Sequence, residues 1–164
     1  MSEAQHLSES LIGFLSDAEI GWFTPVVTAI QGLTSERAAK IPAAGFNSVW
    51  GVVNHMSYWL EYLLHRLKGE PVEPMAAEGK ENWQLIPDPG DEQAWRSACE
   101  RLFSLNQQMA ELVAGLSDPD LETSYAEGRP KRYQVIHGVI AHNCYHTNEI
   151  ISIRHMLGLW LEQT

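Results

Sequence analysis

The sequence predicts an all-α protein built as a four-helix bundle, and three observations carry that prediction. Four long stretches place apolar residues at helical spacing and hold few helix breakers. Glycine and proline gather where those stretches end. No turn-bounded alternating run marks a β-hairpin, and no segment repeats. Four helices of about 20 residues or more within 164 leave a bundle as the simplest architecture. The length fits one domain, 1–164, large enough to bury about two thirds of its unfolded surface.

The first stretch runs from about Ser8 to Leu33, with Leu11, Phe14, Leu15, Trp22, Phe23, Val26 and Ile30 at helical spacing. Gly21 and Pro25 bend or split it. Gly32 then serves as a C-cap, and Thr34 caps one further turn in "GLTSERAAKIP". The second helix opens at Asn47 or Ser48 as cap and carries Val49, Val52, Met56, Trp59, Leu63 and Leu67 on one stripe. Gly69 and Pro71 end it. Residues 70–90 hold four prolines and two glycines, a long connection of the kind that often has a functional role. The third helix spans about Asp91 to Leu116, with Asp91 and Glu92 in its first turn. After the connection "SDPDLETSYAEGRPKRY", the fourth runs from about Tyr133 to Leu157.

Composition narrows the function classes. With 45% hydrophobic and 20% charged residues, the chain reads as compact and soluble. A formal charge of -10 argues against a nucleic-acid backbone or an anionic membrane surface as partner. The short basic cluster "RPKRY" reads as a solvated helix start. The opening "MSEAQHLSES" lacks a basic n-region, and the apolar runs fall short of the roughly 18 residues that span a membrane. Cys99 and Cys144 form no C-x-x-C pair, so a disulfide framework is not expected. These features predict a reducing, cytoplasmic setting.

The fourth helix contains "HNCYH", residues 142–146. Two histidines four apart lie about 40° apart around a helix and about 6 Å along it, so their rings can converge on one ion. They fall on the stripe Val135, Val139, His142, His146, Glu149 or Ile150, Ile153. Rings buried there need partners, because an unsatisfied buried polar group costs about 1–3 kcal/mol. They are either core histidines paired with other side chains or half of a metal site. His137 and His155 lie off this face, and Cys144 points away from both rings as a small packing residue. On the second helix His55 continues the apolar stripe between Val52 and Trp59; His65 is too far along the axis to join it, and His6 sits near the terminus. Placement thus selects His55, His142 and His146. Three imidazoles with an open position suit Zn²⁺, Ni²⁺ or Fe²⁺ rather than Mg²⁺ or Ca²⁺.

Two other metal sites do not fit. A zinc protease needs Glu directly after the first histidine, where Asn143 stands. A ferritin-like di-iron site needs paired Glu-x-x-His motifs, and Glu3 to His6 is the sole example.

The stretches "GLTSERAAKIP", "GFNSVWGVVNHMSYW" and "IHGVIAHNCYHTNEI" resemble the DinB-like (DinB/YfiT) superfamily, also called the damage-inducible or bacillithiol-transferase-like family. The resemblance covers most of the chain. It implies a four-helix bundle, often a homodimer, with a divalent ion on three histidines that map onto His55, His142 and His146. Where the family typically has a Gly-Gln pair after the histidines, this chain has Asn148 and Glu149. Relatives include transferases and isomerases that use low-molecular-weight thiols such as bacillithiol or mycothiol.

The expected function is therefore a metal-dependent S-transferase that activates a small thiol toward an electrophile. The alternatives are a metal-dependent hydrolase, a non-catalytic metal- or ligand-binding dimer of stress response, or a metal-free bundle. Glu149 is the nearest candidate for a ligand-orienting partner or proton acceptor, and equally for a surface or dimer contact. Trp50, Tyr58, Trp59 and Tyr145 either line a pocket near the ion or belong to the core. Ligating imidazoles must be neutral, so metal affinity should fall below about pH 6.5.

Overall fold

The computed structural model describes residues 1–16, 23–72, 82–86 and 88–160. Seven helices follow in order among them: α1 (Glu3–Ser16), α2 (Val26–Ile30), α3 (Ser35–Ala39), α4 (Val49–Lys68), α5 (Glu92–Ala114), α6 (Asp118–Leu121) and α7 (Arg132–Met156). Around the bundle α1 packs on α5, α5 on α4, α4 on α7 and α7 on α1. The expected all-α four-helix bundle is the observed one, with α4 and α7 as neighbours along one seam.

Local chemistry sets the boundaries. Helix α1 begins at Glu3 rather than near Ser8, because Ser2 and Gln5 form a reciprocal cap. The Ser2 hydroxyl accepts from the Gln5 N–H at 3.3 Å, and the Gln5 amide oxygen accepts from the Ser2 N–H at 2.8 Å. His6 therefore stands exposed within α1, not at a frayed end. Pro25 caps α2, so the split expected there occurs; Gly21 and Trp22 lie outside the described residues, as does most of the long connection, 73–81 and 87. Gly32 follows α2 at φ 73°, where a side chain would be strained. Thr34, Ser48 and Asp91 each cap the next helix by accepting a backbone N–H. The four-residue α6, capped by Ser117, was not expected from its polar, proline-containing sequence.

Leu11, Met56, Leu60, Leu64, Leu102, Met109, Ile136, Ile150 and Ile153 are fully buried and form the centre. Each such side chain contributes about 1.5–3 kcal/mol by leaving water. The core also holds a polar chain: Asn143 on α7 donates to the Asn106 amide oxygen at 3.1 Å, and Asn106 donates to the Leu11 carbonyl at 3.0 Å. Arg154 is buried and donates to the carbonyls of Ala29, Gln31 and Leu159, which fastens the end of α7 to the end of α2. Among the described residues no helix is long and apolar enough to cross a membrane.

Candidate metal centre

His55 comes from the middle of α4, and His142 and His146 from successive turns of α7. The α4–α7 seam brings all three together, and each offers a ring nitrogen within 4.8 Å of the others. His55 Nε2 and His142 Nε2 are 3.2 Å apart. Two ligands of a tetrahedral ion with bonds of about 2.0–2.1 Å stand about 3.3 Å apart, so this spacing is that of neighbouring ligands.

Partners outside the cluster fix the tautomers. The Asn82 carbonyl accepts from His55 Nδ1 at 3.2 Å, and a Glu149 carboxylate oxygen accepts from His146 Nδ1 at 2.7 Å. Both Nδ1 atoms thus carry the proton, which leaves both Nε2 lone pairs free. The other Glu149 oxygen accepts from the Asn47 amide at 2.9 Å. A carboxylate or carbonyl behind each imidazole is the usual support for a metal-ligating histidine.

Burial disfavours the charged form of His55 and His142. Burial, then the neighbouring His146, lowers the His55 pKa. Burial, then His146 and His55, lowers that of His142 to about 4. Neutral imidazoles are the state that binds transition metals. Among the described residues the cluster offers three imidazoles, all nitrogen donors, and it could hold a divalent metal ion.

The aromatic surroundings sort unevenly. Trp83, from the connection before α5, stacks on His55 with ring centres 4.1 Å apart. Trp59 presents an edge to His55 and His142, and Tyr58 packs against Trp59. Tyr145 sits edge-on to His146 but is 70% exposed. Trp50 instead packs in the core against Trp95, with no part in the site.

Several sequence expectations shift. The buried face of α7 shares Val139, His146, Ile150 and Ile153 with the expected stripe but runs through Ile136 and Asn143 in place of Val135 and His142, so His142 is half-buried at its edge. Glu149 stands behind the His146 ring with both oxygens engaged, one by His146 and the other by Asn47. Asn47 is not the cap of α4; Ser48 is, and Asn47 reaches Glu149. Trp83 and Asn82 were missed as individuals, since nothing in their local pattern marks them; their one signal was the length of the connection. His137 and His155 are exposed, away from the cluster, and His65 pairs with Glu70. Cys144 is half-buried, and burial raises its thiol pKa.

A cavity of about 110 Å³ adjoins the cluster between α4 and α7, with His142 in its wall. No curated protein and no solved structure matches the chain. The family model described as the DinB superfamily matches residues 25–150, most of the chain and all three histidines. The chain belongs to the DinB superfamily.

Proposed function

We propose that His55, His142 and His146 hold one divalent transition metal, Zn²⁺ or Ni²⁺ first and Fe²⁺ next, and that the protein is a cytoplasmic thiol S-transferase. One observation carries this: three imidazole nitrogens lie within 4.8 Å, two of them with their lone pairs held by partners behind the ring. Membership of a metal-binding superfamily supports it. The chemistry such an ion supplies is acidification of a coordinated thiol, which makes the thiol nucleophilic near neutral pH.

The chain's own residues do the rest. Glu149 and the Asn82 carbonyl keep two imidazoles in the correct tautomer. Asn47 holds the second Glu149 oxygen, so the carboxylate cannot swing away. Trp83 covers one face of His55, and Trp59 stands at the edge of His142, which limits water at the cluster. With three protein donors the site would keep room for a small thiol, which would reach it beside the adjoining cavity. The working form is a homodimer of single-domain chains.

The test is elemental analysis of tag-free protein beside His55→Ala and His142→Ala. About one transition metal per chain, lost in both variants, is the expected result. Thiol-dependent consumption of an electrophile then separates the transferase from a non-catalytic metal protein. No metal after incubation with Zn²⁺ or Ni²⁺ would end the reading.

A further inference from the structure

We propose that the cavity between α4 and α7 seats a short, uncharged aliphatic group of the small molecule that reaches the histidine cluster. This rests on the metal reading and extends it to the shape of the substrate.

The walls define the chemistry. Trp59, Leu60 and Leu63 come from α4, and Gly138, Val139, His142 and Asn143 from α7. Among the described residues no carboxylate, ammonium or guanidinium lines it, so a charged group there would lose its hydration without a counter-charge. The Asn143 amide already donates to Asn106 at 3.1 Å. The Asn143 oxygen finds no hydrogen-bond partner among the described residues, so His142 and this oxygen are the polar groups of a mostly apolar slot, and His142 belongs to the cluster.

Size sets the limit. At about 110 Å³ the slot is smaller than the ~150 Å³ apolar cavity known to take benzene. A chain of about four carbons fills it.

Gly138 is the second, independent observation. It lies inside α7, and its φ is not positive, so the backbone does not require glycine. A Cβ built there would meet nothing within 4 Å, so packing does not require it either. Glycine is the poorest helix former after proline. Gly138 is exposed, so what the missing side chain leaves open is the solvent edge of the slot, one helical turn before His142.

The test uses 2-methylpropane-1-thiol, titrated into metal-free and Zn²⁺-loaded protein, with the methyl NMR signals of Leu60, Leu63 and Val139 as readout. Zn²⁺ content is measured separately. Those methyls are expected to shift in both forms, and 2-mercaptoethanol, which lacks the branched chain, should bind at least about tenfold more weakly. Gly138→Ala should raise Tm by about 2–4 °C while weakening the probe. Gly138→Leu should cover the solvent edge of the slot and weaken the probe at least about tenfold with Zn²⁺ content unchanged. Silent methyls, or unchanged affinity in a folded Gly138→Leu protein, would overturn the proposal. Responsive methyls in a protein that takes no Zn²⁺ would uphold the slot and end the metal reading. Bound Zn²⁺ with silent methyls would do the reverse.

Discussion

The indole of Trp83 lies flat on the imidazole of His55, with ring centres 4.1 Å apart and planes 11° from parallel. Asn82, the preceding residue, gives its carbonyl to Nδ1 of the same ring. Two consecutive residues of the connection before α5 thus hold one imidazole of the cluster by its face and by its edge. Trp83→Ala should weaken metal binding by about tenfold, the low end for a residue that supports a ligand. In a Ni²⁺ titration followed by tryptophan fluorescence in a Trp59→Phe background, which removes the other indole beside the cluster, Trp83→Phe should lose most of the remaining quenching and keep the stoichiometry. Full quenching in that variant would mean that Trp83 does not sit on the bound site.

Glu149 takes hydrogen bonds from two donors, His146 Nδ1 and the Asn47 amide. A glutamine has one carbonyl oxygen to offer, so it cannot accept from both partners in the same geometry. Glu149→Gln should reduce metal affinity about 10–100-fold in competition with a chelator. Asn47→Ala leaves the carboxylate in place and should have a smaller effect. Equal affinity in Glu149→Gln would remove Glu149 from the site.

The histidines make stability fall in acid. His142 titrates at about 4 in the folded chain, and His55 also below its ordinary value, because both rings are buried beside other imidazoles. Unfolded, each titrates near 6.5. Between those values the unfolded chain binds more protons than the folded one, so stability rises with pH across that window. Metal-free protein should therefore lose stability in urea as pH falls from about 6.5 to about 4. His142→Ala should flatten that slope. The same shift means that protons compete with a metal for His142 only as pH nears 4, lower than free histidine would suggest.

Asn106 and Asn143 are both buried, and each depends on the other. Asn143→Ala leaves the Asn106 oxygen without that donor and should cost about 1–3 kcal/mol in a denaturation experiment. The double alanine variant should be less destabilised than the sum of the single ones, because the pair shares one interaction. Strict additivity would show that the two amides act independently.

Helix positions, their principal caps and the three histidines were legible in the sequence, for a local reason. Periodicity at 3.6 residues, a serine or aspartate before an apolar run, and glycine after it act within a few residues. The spacing of His142 and His146 is likewise a property of one helix, and His55 followed from the stripe of another. What only the tertiary structure decided is what reaches those rings from far along the chain. Glu149 could be a surface group or a support until Asn47 arrived on its other side. Trp83 could not be picked from a proline-rich connection, since stacking on His55 depends on where that connection crosses the bundle. The edge position of His142, on the expected stripe but beside the observed buried face, depends on how α7 is rotated against α4. Periodicity resolves such a rotation only to about one residue, whereas side-chain packing along the seam sets it, and with it the slot beside His142.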